Sequence, residues 1–170
     1  DNIQDIEEFD KKKAKDILNS LNQEHQDDIN WLKKYGEHEA GAYMQIELFS
    51  ANQKETIQES INRLRILKEN NEIENIHQVF VVDNENSLLG AISLEDLVIY
   101  NFDTKYEDIL KKDTENNYKP FYVSSNDDID EVVKQFENYN LSVLAVIGYK
   151  NRLLGRITSD DILDIVENSD

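Results

Sequence analysis

Apolar residues recur at spacings of three and four along the first forty residues, which is the period of one face of an α-helix. The positions that carry this pattern are Ile3, Ile6, Phe9, Ile17, Leu18, Leu21, Ile29, Leu32 and Tyr35. Gly36 and Gly41 then interrupt it. The pattern predicts a helical segment over residues 1–40.

The pattern changes after residue 41, where short apolar runs alternate with helical stretches. Thr56 followed by Glu59 has the spacing of a capping box and predicts the start of a helix that continues to about Lys68. In chain order, the predicted elements are a strand over 45–49, this helix, strands over 79–82 and 88–92, and a helix from Ser93 to Tyr100.

The same order of elements returns from about residue 113. The predicted elements are a strand over 121–123, a helix capped by Asn126, strands over 141–147 and 153–157, and a helix from Thr158 to Val166. The common unit is therefore β-α-β-β-α. We expect one copy over residues 41–112 and a second over residues 113–170.

A duplicated motif closes each copy. Residues 87–96 read Ser-Leu-Leu-Gly-Ala-Ile-Ser-Leu-Glu-Asp, and residues 152–161 read Arg-Leu-Leu-Gly-Arg-Ile-Thr-Ser-Asp-Asp, without a gap between the two alignments. A unit of this size is too small for a comfortable core of its own. The two copies are therefore expected to bury their apolar faces against one another and to share clefts that bind a ligand.

The element order and the repeated Leu-Leu-Gly-x-Ile-Ser/Thr-x-x-Asp motif resemble the CBS domain, named after cystathionine β-synthase. This resemblance implies an α+β fold of tandem CBS domains, a Bateman module, over roughly residues 44–168. CBS pairs commonly associate two-fold, so a homodimer is expected.

A narrower resemblance is to the cytosolic region of MgtE-type magnesium transporters. In that family a helical N domain ends in Tyr-x-x-x-Ser-Ala-Gly-x-x-Met before the first CBS repeat. Here Tyr35, Ala40, Gly41 and Met44 match, while Glu39 stands where serine is usual. The resemblance implies a Mg²⁺-sensing, gating region on the cytoplasmic side of the cell membrane, joined to a transmembrane pore domain of the same polypeptide.

Composition and charge narrow the possible partners. The 36 acidic and 18 basic residues give a formal charge of −18 and a pI near 4.4. Such a surface repels phosphate backbones and anionic lipids, so it disfavours nucleic-acid binding and favours cations, although acids also simply keep proteins soluble. No apolar run is long enough to span a bilayer, no signal peptide is visible, and cysteine is absent.

Acidic residues cluster on two predicted helices, and by resemblance these are the Mg²⁺ sites. The residues that the resemblance selects as ligands are Asp128, Asp130, Asp161 and Asp164, with Gly41 offering a backbone carbonyl. Carboxylate and water oxygens are the ligands that Mg²⁺ prefers. Two alternatives remain open, because acids in a first helical turn complement the helix dipole and Asp161 belongs to the repeated motif. Asn140 stands where related chains often have an acid.

A second possible ligand is ATP or another adenine nucleotide, which CBS pairs often bind through the hydroxyl and carboxylate of the closing motif. Those residues are Ser93, Asp96, Thr158 and Asp161. Against this, His77 and Gln78 stand where nucleotide-binding relatives tend to have an aromatic residue, and Ser93 and Thr158 also suit plain helix caps. A dimerisation module without ligand is a third possibility. Three scattered histidines and no nucleophile pattern predict that the chain is not an enzyme.

Overall fold

The computed structural model describes residues 35–168. Most of the helical segment predicted over residues 1–40 therefore lies outside the described residues. The prediction is wrong for residues 35–39, which form turns and a single bridge, and a short 3-10 helix follows at Ala40–Ala42. The physical reason is tertiary, because Glu39 pairs with Asp128 instead of continuing a helix.

The first repeat forms a three-stranded sheet with the strand order β1-β2-β3. Its elements are β1 Ser50–Asn52, α1 Ile57–Glu69, β2 Gln78–Val82, β3 Leu88–Ser93 and α2 Leu94–Leu97, followed by α3 Tyr106–Lys112. Strand β1 pairs with β2 in parallel, and β2 pairs with β3 antiparallel. The predicted cap of α1 is confirmed, because the Thr56 hydroxyl accepts a hydrogen bond from the Glu59 amide at 3.1 Å.

The second repeat has the same topology, with the strand order β4-β5-β6. Its elements are β4 Tyr122–Ser124, α4 Ile129–Tyr139, β5 Val143–Ile147, β6 Leu153–Thr158 and α5 Ser159–Asn168. The pairing is again parallel for β4 with β5 and antiparallel for β5 with β6. The predicted β-α-β-β-α order is confirmed in both copies.

Three local predictions are wrong. Residues 45–49 form no strand, and β1 begins at Ser50. The cap of α4 is Asp128 and not Asn126, since the Asp128 carboxylate accepts from the Asp130 amide at 2.8 Å. Helix α2 ends at Leu97 rather than at Tyr100, and the Ser93 side chain makes no capping hydrogen bond to it.

The segment that leads into each repeat pairs with the sheet of the other repeat. Ahead of β1, Gln45 exchanges two backbone hydrogen bonds with Arg156 of β6, at 2.8 and 2.9 Å. Ahead of β4, the carbonyl of Tyr118 accepts from the amide of Ala91 in β3 at 3.0 Å. The sheet of each repeat therefore pairs with the backbone segment that leads into the other repeat.

The glycine of each closing motif permits this crossing. A Cβ at Gly155 would lie 2.6 Å from the carbonyl oxygen of Gln45. At Gly90 it would lie 3.1 Å from the carbonyl oxygen of Tyr118 and 2.8 Å from a methyl of Leu110. Both distances from the added Cβ to a carbonyl oxygen are shorter than an ordinary contact between carbon and oxygen. The motif therefore needs glycine because another backbone passes directly over the strand.

The buried apolar residues form three clusters. One lies within the first repeat around Phe49, Val79, Ile92 and Tyr106, and another within the second around Val123, Val132, Leu144 and Ile157. The third lies between the two sheets and contains Phe80, Val82, Val143, Ala145 and Leu153. This third cluster confirms that the repeats bury apolar faces against one another. Among the described residues, no helix is long and apolar enough to cross a membrane.

Candidate functional site

The two closing motifs stand at equivalent places in the two repeats, and a cavity that we call the open cleft lies beside the first of them. A cavity of about 310 Å³ lies beside Ser93 and Asp96. The residues that line it are His77, Gln78, Ala91, Ser93, Asp96, Asn117, Tyr118, Lys119, Phe121, Asn140, Leu141, Ser142 and Val143. This volume falls at the lower end of the range of small-molecule sites, which begins at about 300 Å³.

The open cleft combines apolar and polar groups. Phe121, which is 50% exposed, offers an aromatic ring, and Lys119 brings a positive charge. The hydroxyls of Tyr118 and Tyr100 hydrogen bond at 2.8 Å, and burial together with this contact and with Asp96 raises the pKa of Tyr118. Lys119 and Phe121 were missed from the sequence because they lie on the segment that leads into the second repeat.

At the corresponding place in the second repeat, two side chains, Arg156 and Gln45, lie beside the motif. Arg156 stands at the position that corresponds to Ala91, and its guanidinium occupies the space beside the motif. The Asp161 carboxylate accepts hydrogen bonds from the amide and hydroxyl of Thr158, each at 2.9 Å, and from the side-chain amide of Gln45 at 2.9 and 3.0 Å. The polar side-chain atoms of Thr158 and Asp161 are thus hydrogen-bonded to each other and to Gln45.

A different cavity brings several of the predicted metal ligands together. It has a volume of about 480 Å³ and is lined by His38, Tyr43, Ile129, Asp130, Asp161, Asp164 and Ile165. We call this space the carboxylate cavity. It lies where the segment ahead of β1 meets α4 and α5. The His38 carbonyl accepts a hydrogen bond from the Ile129 amide at 2.7 Å, which joins this segment to the start of α4.

Two predicted ligands, Asp128 and Gly41, do not line the carboxylate cavity. Asp128 is exposed and caps α4, as the helix-dipole alternative expected. Gly41 is buried in the 3-10 helix, and its amide donates to the carbonyl of Ser125 at 2.8 Å. Both residues nevertheless belong to the two segments that form the wall of the cavity.

The donor set of the carboxylate cavity suits a hydrated hard cation. Within residues 35–168, no group of three or more acidic or histidine side chains is arranged so that it could hold a metal ion by itself. Mg²⁺ dehydrates reluctantly and is usually bound through one or two carboxylates and several waters. Asp130, Asp161 and Asp164 therefore fit Mg²⁺ with part of its water shell better than a closely chelated ion.

The sequence profile of the CBS domain matches two stretches of the chain, residues 40–102 and 107–168. The chain belongs to the CBS domain family. The predicted fold class, an α+β pair of tandem CBS domains, is confirmed by this match and by solved structures. Each stretch contains one of the two β-α-β-β-α repeats described above, and the second begins within α3.

Curated relatives of this CBS pair include magnesium transporters. Magnesium transporter MgtE of Thermus thermophilus is 32% identical over 140 residues, which cover 82% of this chain and 29% of that protein. Magnesium transporter MgtE of Enterococcus faecalis is 34% identical over 142 residues, which cover 83% of this chain and 29% of that protein. The chain therefore spans less than a third of the length of these relatives.

Two solved structures share this CBS fold at similar identity. The cytosolic domain of the Mg²⁺ channel MgtE in complex with ATP gives a TM-score of 0.68 at 30% identity, covering 85% of this chain and 55% of that one. The soluble part of a magnesium transporter gives a TM-score of 0.68 at 32% identity, covering 89% and 56%. The predicted resemblance to the cytosolic region of MgtE transporters is confirmed.

Proposed function

We propose that this CBS pair is the Mg²⁺-sensing, gating region of a magnesium transporter, placed on the cytoplasmic side of the membrane. The observation that carries the proposal is the carboxylate cavity, which gathers Asp130, Asp161 and Asp164 from α4 and α5. The similarity to MgtE supports the same assignment. The transmembrane pore domain would be part of the same polypeptide, and this region would act by regulation and not by catalysis.

The electrostatics of the carboxylate cavity support a gating role. Like charges that face one another across α4 and α5 repel, and a bound divalent cation removes that repulsion. Mg²⁺ then stabilises the state in which these elements lie close together, because its affinity for that state is greater. When Mg²⁺ falls, the repulsion favours separation, and α5 passes the change on to the pore domain.

Exposed apolar side chains on equivalent helical segments support the expected homodimer. Val98 follows α2 and is 72% exposed, and its counterpart Leu163 on α5 is 58% exposed. Val166 on α5 is exposed as well. Exposed apolar residues that recur at the same place in both repeats suit a two-fold interface. We propose that two copies of the CBS pair associate through these helices.

The test is small-angle scattering of the chain across a Mg²⁺ titration at constant ionic strength, with Ca²⁺ and ATP in parallel. Compaction by Mg²⁺ that is lost in Asp130→Asn/Asp164→Asn supports the proposal. Asp161 is left intact because it also holds Thr158 and Gln45. The matched control is Glu85→Gln/Glu115→Gln, which removes the same charge from exposed positions in the first repeat and just after it. Equal responses of the two double variants would contradict the proposal.

A second candidate function is adenine-nucleotide binding in the open cleft beside Ser93 and Asp96. Phe121 offers a surface on which a base can stack, and Lys119 can pair with a phosphate. A solved structure of the MgtE cytosolic domain contains ATP. The Arg156 side chain, which stands beside the second motif where the first has Ala91, leads us to expect one nucleotide per chain.

Isothermal titration calorimetry with ATP tests this second candidate function. Asp96→Asn and Lys119→Met should each weaken binding, whereas Lys112→Met removes an equal charge from the exposed end of α3 and should leave it unchanged. A stoichiometry of two per chain, or equal affinity in all three variants, would contradict the assignment to this cleft.

A further inference from the structure

Arg156 is a buried cation that connects the two repeats. It lies in the middle of β6 and is 4% exposed. Its guanidinium donates to the backbone carbonyls of Glu74 and Asn75, each at 2.9 Å, and to the side-chain oxygen of Gln45 at 3.4 Å. Within the described residues, its Nε atom has no hydrogen-bond partner. A charge in the second repeat is thus held mainly by the loop ahead of β2 in the first repeat.

Gln45 stands between this guanidinium and the carboxylate cavity. Its Oε1 accepts from Arg156, while its Nε2 donates to both carboxylate oxygens of Asp161, at 2.9 and 3.0 Å. Asp161 Oδ2 also accepts from Thr158, but among the described residues the hydrogen bond to Oδ1 comes from Gln45. Oδ1 is therefore the oxygen of Asp161 that an incoming cation would use.

The Gln45 amide and a cation compete for the electron density of that oxygen. The Nε2 group presents two hydrogens and no lone pair, so it cannot coordinate a cation, and a cation at Oδ1 weakens its hydrogen bond. Gln45 can then turn its Oε1 toward the cation, which withdraws an acceptor from Arg156. The positive charge of Arg156 also opposes a second positive charge nearby, since arginine stays protonated in proteins.

We propose that Arg156 and Gln45 set the cation affinity of the carboxylate cavity and couple its occupancy to the Glu74–Asn75 loop of the first repeat. This inference rests on the proposed function, because it assumes that Mg²⁺ enters the carboxylate cavity. Arg156 acts in two separable ways. Its charge weakens cation binding, and its hydrogen bonds transmit the displacement of Gln45 to the loop.

The experiment is a Mg²⁺ titration of the whole chain followed by amide chemical shifts in nuclear magnetic resonance. Signals of Asp130 and Asp164 report binding, and signals of Glu74 and Asn75 report coupling. Arg156→Met removes the charge and the hydrogen bonds, and we expect it to tighten Mg²⁺ binding roughly tenfold. Arg65→Met removes an equal charge from an exposed position on α1 and serves as the control.

A third variant separates charge from hydrogen bonding. Arg156→Lys keeps the charge but cannot reach two carbonyls and Gln45 at once, so it should keep the original affinity and lose the Mg²⁺-dependent shifts of Glu74 and Asn75. The carbonyls that lose Arg156 lie in an exposed loop where water can replace it, so both variants should fold.

Two results would overturn the inference. Equal Mg²⁺ affinity in Arg156→Met and Arg65→Met excludes an effect of the Arg156 charge. If the signals of Glu74 and Asn75 still move with Mg²⁺ in Arg156→Lys as they do in the unaltered chain, transmission through the Arg156 hydrogen bonds is excluded. If the unaltered chain shows no response to Mg²⁺ at all, the proposed function fails and this coupling fails with it.

Discussion

Gly155→Ala tests the close crossing of Gln45 over β6. The added Cβ would meet the Gln45 carbonyl oxygen at 2.6 Å and the Met44 sulfur at 3.0 Å. An ordinary carbon–oxygen contact is about 3.3–3.6 Å, so strand and segment must separate by roughly 0.7 Å or more. Because the nearest atom belongs to a backbone, no side-chain rotation can relieve the clash.

The expected cost follows from three contributions. Overpacking costs about 1–3 kcal/mol. The two backbone hydrogen bonds between Gln45 and Arg156, now 2.8 and 2.9 Å, would be stretched, and each contributes about 1 kcal/mol. Alanine recovers about 0.5–1 kcal/mol of backbone entropy relative to glycine. The free energy of unfolding should therefore fall by about 2–4 kcal/mol.

Two other glycines provide an internal scale. Gly90→Ala meets a methyl of Leu110 at 2.8 Å and a backbone oxygen only at 3.1 Å, and it strains one interrepeat hydrogen bond, so about 1–2 kcal/mol is expected. Gly148→Ala meets only the flexible side chain of Leu154 and should cost least. Urea unfolding followed by circular dichroism measures all three. A loss for Gly155→Ala no greater than that for Gly90→Ala would refute the reasoning.

Three further changes test local features. Tyr106→Phe removes a buried hydrogen bond to Ser60 of 2.6 Å and should cost about 1 kcal/mol. Burial raises the pKa of Tyr106, so the stability that its neutral form contributes is present below about pH 10 and lost above it, and the variant should lose less stability there. Thr56→Ala removes the cap of α1 and should cost about 1 kcal/mol. Asn140→Val places a branched side chain at a φ of 51° and should cost about 1–2 kcal/mol.

The same urea assay provides the controls for these three changes. Thr56→Ser keeps a capping oxygen and Asn140→Gly keeps the left-handed conformation, so both should stay near the unaltered stability. Equal losses for Thr56→Ser and Thr56→Ala would contradict the cap. Parallel stability curves for Tyr106→Phe and the unaltered chain above pH 10 would contradict the role of Tyr106 burial.

Elements defined by local signals could be predicted from the sequence. The Thr56 cap and the apolar runs at 79–82 and 141–147 need only neighbouring residues, and the helix and strands expected there are present, although β5 begins only at Val143. The predicted strand at 45–49 was wrong because the alternating pattern there serves a different partner. Gln45 pairs with Arg156, 111 residues away, and no local pattern reports such a pairing.

The residues of the candidate sites also divide into those that could be predicted from the sequence and those that could not. Asp130, Asp161 and Asp164 were selected through the resemblance, and the fold gathers them in one cavity. Lys119 and Phe121 were missed because they reach the open cleft from the opposite repeat. The hydrogen bonds of Arg156 beside the second motif were also missed. Only the comparison of Arg156 with Ala91, at equivalent positions of the closing motif, carried a signal for them.

The crossing of Gln45 onto β6 also fixes an order of events during synthesis. A ribosome releases Gln45 long before Arg156, because 111 residues separate them. At about 5–20 residues per second, that interval is roughly 5–20 seconds. Throughout it, the first repeat can form its own sheet, but Met44 and Gln45 have no strand to cover. The segment ahead of β1 can therefore be fixed only after β6 has been synthesised. During that interval, the net negative charge of the chain opposes association with other unfinished chains.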